Sequence, residues 1–243
     1  MSEQFWDLYA RWYDSIAVLE PYIQLHKRVI KSLGELPAHT RILDAGCGTG
    51  NLLFKMIERF PQAEITGVDR SGAMLRRAKR KLSELRAREG VGYQAVLFEL
   101  DLNQDLPGWE DASFDAIVSV NVLYALEDPE AFLKECNRLL APGGQLILAN
   151  PWRAEQSRVW RTHFNDLLFF GSLQKWVQTS LRLPSFGAAL ATNVLITRAA
   201  KERAFHFLQS EELYALAERV GLCPQTLDSD AYAGTCCFLA AGT

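Results

Sequence analysis

Apolar residues along the chain follow first one period and then two in alternation. Tyr22, Ile23, His26, Val29, Ile30 and Leu33 recur at three- and four-residue steps, as on a helix with one buried face, and Gly34 supplies its stop. Arg41 to Ala45 is a short apolar run with the length of a buried strand. Leu52, Leu53, Met56, Ile57 and Phe60 return to the helical period, closed by Pro61. A second strand is expected over Glu64 to Asp69, then a helix capped by Ser71 that buries Met74, Leu75, Ala78, Leu82 and Leu85. Third and fourth strands are expected over Tyr93 to Leu100 and Phe114 to Val120. Asp128-Pro129 joins a capping carboxylate to proline at the first helical position, and Phe132, Leu133, Cys136, Leu139 and Leu140 form the buried face that follows. Pro142-Gly143-Gly144 then turns the chain into a fifth strand, Gln145 to Asn150.

Strand and helix alternating at this spacing predict an α/β fold, doubly wound, with helices on both faces of a parallel sheet. The last part breaks the rule. Ser210 is expected to cap a helix carrying Leu213, Leu216, Ala217 and Val220, stopped by Gly221. Two strand-like segments follow, Pro224 to Asp228 and Thr235 to Ala240, with only a few residues between them. That gap is too short for a parallel crossover, so they should pair antiparallel. The expectation is a mostly parallel seven-stranded sheet with an antiparallel last strand and a helical cap. Residues 1–243 read as one domain: an N-terminal helical segment (1–38), a core (39–150), a cap insertion (151–207) and a C-terminal helix with its strand pair (208–243).

Composition narrows the class. The chain has 243 residues, 49% of them hydrophobic, so it can bury a full core. Its net charge of −3 gives no electrostatic case for binding nucleic acid. Five cysteines (Cys47, Cys136, Cys223, Cys236, Cys237) form no C-x-x-C pair and read as free thiols in a reducing compartment; Cys236 and Cys237 should face opposite sides of a strand. Met1 to Asp7 lacks the basic start and apolar run of a signal peptide, and no stretch of about 18 apolar residues is present. A cytoplasmic protein without a transmembrane segment is expected. Peripheral membrane contact stays open, and the oligomeric state is not indicated.

The chemistry concentrates in one loop. Asp44-Ala45-Gly46-Cys47-Gly48-Thr49-Gly50 leaves a strand and opens a helix. Glycines there let the backbone turn sharply and approach a ligand without a Cβ between. In open α/β sheets ligands sit at the carboxyl ends of the strands, where strand order reverses. Asp69 lies nineteen residues beyond Gly50 at the end of the second strand, where a carboxylate can accept from both ribose hydroxyls. The glycine series is G-x-G-x-G, and Asn51 stands where the longer dinucleotide form would continue. This leaves less support for a pyrophosphate and weighs against an NAD(P)-dependent oxidoreductase.

Leu43 to Gly50 resembles motif I of the class I S-adenosylmethionine methyltransferases. The resemblance continues through Gly67-Val68-Asp69, Ser71 to Leu75, Asp101, Ser113-Phe114-Asp115, Asn121 to Leu126 and Arg138 to Gly144. It is nearest to the type 11 group that includes ubiquinone-pathway enzymes, and is strong over residues 40–150 and weaker over 208–241. It implies a Rossmann-like fold, S-adenosylmethionine as cofactor and S-adenosylhomocysteine as product. Gly46, Gly48 and Gly50 would line the methionine and ribose portion, and Asp44 would hold the amino group directly or through water. Asp69, with Arg70 beside it, would bind the ribose, and Asp101 and the Leu102 backbone the adenine edge. Met74 would pack near the adenine face and Asn121 near the methionine end. Met74 reads equally well as core, and Asp115 reads as structural. The run Arg76-Arg77, Lys79-Arg80-Lys81 reads as a solvated helix face.

The acceptor, a small molecule, should meet residues outside these motifs. Residues 152–207 hold nine aromatics (Trp152, Trp160, Phe164, Phe169, Phe170, Trp176, Phe186, Phe205 and Phe207) and eight Lys or Arg against three Asp or Glu. Such a cap suits an aromatic or lipid-like acceptor, and the basic excess suits an acidic one; a second layer of core with a solvated basic face fits equally. Trp160 and Phe170 are the acceptor residues expected from the cap, and Tyr9 and Tyr13 those from the N-terminus. Methyl transfer from a sulfonium needs alignment and exclusion of water more than acid–base help. If a base is used, Tyr124, His163 and His206 are the candidates; relatives often carry His where this chain has Ala125. No metal-ligand cluster is expected. A non-catalytic domain that binds S-adenosylmethionine is the remaining alternative.

Overall fold

In the computed structural model, residues 3–89, 93–104, 106, 108–153, 157–170, 172, 177, 179, 187, 191 and 205–243 are described. Their strands are β1 (Arg41–Ala45), β2 (Glu64–Asp69), β3 (Ala95–Glu99), β4 (Phe114–Val120), β5 (Leu140–Pro151), β6 (Cys223–Asp230) and β7 (Cys236–Gly242). They form one sheet in the order β3-β2-β1-β4-β5-β7-β6. The first five pair parallel, while β7 enters antiparallel between β5 and β6. The order reverses between β1 and β4, which opens a crevice at their carboxyl ends.

Helices α1 (Glu3–Tyr13), α2 (Glu20–Leu33), α3 (Asn51–Arg59), α4 (Gly72–Glu89), α5 (Pro129–Leu139), α6 (Ser157–Phe170) and α7 (Ser210–Arg219) accompany the sheet. Adjacent strand residues feed two separate cores, as a two-residue side-chain period requires. Ile42, Ile65, Val118 and Ile147 pack with α2, α3 and α4, whereas Leu43, Val68, Ile117 and Leu146 pack with α5 and α7. Cys236 and Cys237 fall on these opposite sides, and all five cysteines are free thiols. No helix among the described residues is long and apolar enough to cross a membrane.

Several boundaries differ from the sequence pattern for local reasons. The Pro142-Gly143-Gly144 segment does not precede β5 but lies within it. Leu140 already pairs with Phe114, and the register then shifts before Gln145 meets Ala116. Gly143 has φ of 75°, and a Cβ on Gly144 would come within 2.8 Å of the Ala141 carbonyl, so glycine is needed inside this irregularity. Strand β3 begins at Ala95, the first residue with a β2 partner. Ser210 is the first helical residue of α7, while Gln209 is its cap: the Gln209 N–H donates to Glu212 at 2.8 Å, and its side chain accepts from the Glu212 N–H. Ser71 does cap α4, its hydroxyl accepting from the Met74 N–H at 3.2 Å.

The β6–β7 connection is unusual. Tyr232 (φ 54°, ψ 54°), Ala233 (φ 58°, ψ 35°) and Gly234 (φ 70°) are all left-handed. For a bulky side chain this conformation is a steric outlier. Surrounding bonds hold it: Thr235 Oγ1 donates to the Tyr232 carbonyl at 2.8 Å, the Thr235 N–H to Ala231 at 3.1 Å, and Arg153 to the Gly234 carbonyl at 2.7 Å.

Candidate active site

The glycine loop turns because its backbone has one acceptor to reach. The N–H groups of Gly46 and Cys47 both donate to the Val68 carbonyl at the end of β2, at 2.8 and 2.9 Å. Gly46, Gly48 and Gly50 have φ of 85°, 55° and 82°. A Cβ on Gly46 would lie 2.1 Å from Val122 Cγ2, so the loop and the segment after β4 approach as closely as glycine allows. Asp69 ties this loop to the start of α4. Its carboxylate accepts from Gly48 N–H at 2.9 Å and from Ser71 N–H at 2.8 Å. Burial still pushes its pKa up against those hydrogen bonds.

One cavity of about 1260 Å³, its open mouth included, lies along the carboxyl ends of the strands. Over β1 to β3 it is lined by Gly46, Gly48, Asp69, Arg70, Met74, Asp101 and Leu102. Asn121 and Val122, after β4, stand at the middle, with Asn121 at φ 59°. Beyond them the walls turn apolar and aromatic: Ile16, Leu19, Tyr124, Pro151, Trp160, Phe207 and Tyr232. Tyr9 and Tyr13 of α1 also line it, so of the expected acceptor residues Tyr9, Tyr13 and Trp160 reach the cavity. The side chain of Phe170 lies outside the described residues, as do Trp176 and Phe186.

Not every expected residue reaches the cavity wall. Gly50 instead caps α3 in a left-handed conformation. Asp44 sits beneath the loop, 2% exposed, with its Oδ2 unpartnered among the described residues. Burial and the neighbouring Asp69 push its pKa up to about 7. A buried carboxylate oxygen without a donor fits a cationic group arriving from the loop side, and the Gly46 cradle fits a ligand that needs backbone contact. The residues present therefore fit S-adenosylmethionine in kind: a glycine backbone open to close contact, and a carboxylate, Asp69, in the cavity wall.

Neither histidine candidate stands in the described lining of the cavity. His163 on α6 is buried away from the cavity lining, with Nδ1 accepting from the Glu20 N–H at 3.2 Å, and so joins α6 to α2. His206 is also outside the lining, and its backbone N–H donates to the Tyr124 carbonyl at 2.7 Å. Of the three, only Tyr124 lines the cavity, stacked with Phe205 and Phe207 at ring centroid distances of 5.2 and 5.7 Å. Burial holds its phenol far above the usual range, so it stays protonated. Asp115 serves the sheet, bonded to the Arg41 backbone and guanidinium at 2.8 Å.

The basic run on α4 is not uniformly solvated. Lys81 donates to Asp14 at 2.7 Å, to the Thr49 carbonyl at 3.1 Å and to Asn51 at 3.0 Å. Thr49 Oγ1 donates to the same Asp14 oxygen at 2.6 Å. Burial works against the Asp14 carboxylate, but the Lys81 and Thr49 hydrogen bonds outweigh it and its pKa falls. Two turns earlier, within α1, Asp7 accepts from Ser71 Oγ at 2.6 Å and from Ala73 N–H at 3.2 Å. Two carboxylates thus fasten α1 to the glycine loop and to α4. Helical periodicity carries no trace of either tie, because the partners lie 35 to 67 residues apart.

Comparison with known proteins agrees with this geometry. Residues 36–219 match the family model described as a methyltransferase domain. A ubiquinone biosynthesis O-methyltransferase of Chromobacterium violaceum is 29% identical over 235 residues, covering 95% of this chain and 85% of that protein. The protein of the same name from Idiomarina loihiensis is 33% identical over 152 residues, 60% of this chain, and the match spans only 58% of its length. Among solved structures, a SAM-dependent methyltransferase of Aquifex aeolicus superposes with a TM-score of 0.58 at 16% identity, covering 93% of this chain and 91% of that one. The chain belongs to the methyltransferase-domain family, the S-adenosylmethionine-dependent methyltransferases that its glycine loop resembles.

Proposed function

We propose that the chain transfers a methyl group from S-adenosylmethionine to a hydroxyl oxygen of a small aromatic acceptor. The observation that carries this reading is the continuity of the cavity. It joins the Gly46–Asp69–Asp101 half to a half walled by Tyr124, Trp160, Phe207 and Tyr232. Flat apolar walls with phenol edges suit a flat ring bearing a few polar substituents. The choice of oxygen rests on the names of the relatives. Room beyond the cofactor half favours turnover over a domain that only binds the cofactor.

The bound cofactor supplies an electrophilic methyl on a sulfonium with a neutral leaving group. The chain's part is alignment and dryness. Asp69 and Asp101 fix one end, while α1, bolted by Asp7 and Asp14, closes over it. Transfer to a hydroxyl also releases its proton; the cavity-lining tyrosines are protonated and give hydrogen bonds rather than take it, so the proton passes to water at the cavity's open mouth. Among the described residues Arg70 is the one cation in the lining, at the cofactor half, so the acidic acceptor suggested by the basic cap has no partner in view.

The test is S-adenosylhomocysteine formation with catechols, phenols, aromatic amines and thiols as acceptors. Turnover of the hydroxylated rings is expected. Turnover confined to amines or thiols would overturn the choice of oxygen. Failure of S-adenosylhomocysteine to raise the melting temperature, with NADH raising it instead, would overturn the whole reading.

A further inference from the structure

Tyr232 has no place in any motif of the chain, yet the fold spends an unfavourable backbone conformation on it. Its φ of 54° is followed by a second left-handed non-glycine residue, Ala233. Strained residues of this kind persist only where their surroundings over-determine them, and they cluster at ligand-contacting sites. Here the hydrogen bonds from Thr235 and Arg153 fix the turn from both sides. The result puts the Tyr232 side chain in the wall of the acceptor half, 9% exposed.

The hydroxyl is the second observation. Tyr13 and Tyr22, nearby in the same cluster, bond each other at 3.3 Å. The Tyr232 ring packs edge-on to Tyr22 at 6.2 Å, but its hydroxyl makes no hydrogen bond among the described residues. Nor is it one of the polar atoms sealed without a partner in the core, so it opens onto the cavity. A phenol in such a wall, kept protonated by burial and by the facing Cys236, Tyr9, Tyr13 and Tyr124, can donate to an oxygen of a ligand.

We infer that Tyr232 is a specificity-determining residue, its hydroxyl donating to a second oxygen substituent on the ring of the acceptor, next to the oxygen that is methylated. This rests on the proposed function above. A preorganised donor favours acceptors that carry a partner for it and disfavours rings that leave it unpaired. It acts on acceptor choice and leaves the cofactor half alone.

The test measures binding of catechol and of phenol to the protein saturated with S-adenosylhomocysteine, by calorimetry, for the parent chain and for Tyr232→Phe. The parent should bind catechol more tightly than phenol. Tyr232→Phe should reduce that preference roughly 3- to 10-fold, the range for one neutral hydrogen bond, with phenol and S-adenosylhomocysteine affinities unchanged. The double variant Tyr232→Phe/Ala233→Gly, in which glycine relieves the left-handed backbone at 233, keeps the test open should Tyr232→Phe alone fold poorly. It should melt above Tyr232→Phe and show the same reduced catechol preference. A full preference retained in either folded variant overturns the role of Tyr232 and leaves the proposed function standing. A parent chain that binds S-adenosylhomocysteine but neither ring overturns both.

Discussion

Gly46→Ala probes the closest contact in the site, and its cost separates into two parts. The backbone at φ 85° costs an L-residue about 1–2 kcal/mol. The new Cβ would also stand 2.1 Å from Val122 Cγ2 and 3.2 Å from Val122 Cβ and Cγ1. Val122 must move, and overpacking of this kind costs about 1–3 kcal/mol. The sum is about 2–5 kcal/mol, a fall in melting temperature of roughly 4–20 °C for a chain of this length. Val122→Ala deletes both γ carbons and removes only the second part. In denaturant titrations at constant m-value, the double variant should therefore be more stable than the two single changes predict, by about 1–3 kcal/mol. The residual deficit belongs to the backbone. Calorimetry with S-adenosylhomocysteine on the same proteins should show weakened binding in Gly46→Ala, partly restored in the double variant. A Gly46→Ala protein within about 0.5 kcal/mol of the parent, or strictly additive effects, would refute the reasoning.

Three further outcomes are expected. Asp69→Asn should cost at least about tenfold in S-adenosylhomocysteine affinity, since charge-assisted hydrogen bonds contribute about 1.5–3 kcal/mol each; unchanged calorimetric affinity would mean the ribose lies elsewhere. With its pKa pushed up to about 7, Asp44 must lose a proton to receive a cationic amino group, so affinity should weaken by up to about tenfold per unit below pH 7. Asp44→Asn should flatten that profile, and a profile unaltered by the change would remove Asp44 from the site. His26 is buried and Lys55 adds a like charge, so its pKa falls from 6.5 to about 3. Between those values the unfolded chain binds the extra proton, and stability should drop by up to about 1.4 kcal/mol per pH unit as the pH falls. His26→Leu should lose this slope in denaturant titrations, and a slope that survives would place its origin in another group.

The alternation of periods was enough to place every strand of the sheet and to predict the antiparallel pairing at the end, because strand and helix periods are local properties. The glycine loop and Asp69 were legible for the same reason: their spacing is set within one strand–helix–strand unit. What escaped was non-local. Lys81 reads as one of five basic residues on a helix face, and only the folded chain brings it to Asp14 and Thr49. His163 has the chemistry of a base, yet packing assigns it to the α2 junction. Nothing in the string Ala231-Tyr232-Ala233-Gly234 announces left-handed backbone at three successive residues, since only the glycine favours it.

The position of β7 also governs the order in which the molecule can assemble during synthesis. β5 ends at Pro151, but its outer neighbour begins only at Cys236, roughly 85 residues later. At about 5–20 residues per second the ribosome needs about 4–17 s to deliver it. Until then a twelve-residue strand presents an unpaired edge, and β6, although made earlier than β7, has no strand to join. The α1–β5 half can collapse around its parallel pairs in the meantime. The acceptor half waits for the final turn, because Tyr232 and the strand behind it arrive together. A nascent chain halted before Cys236 should therefore protect β1 to β4 from protease while leaving β5 and β6 open to it.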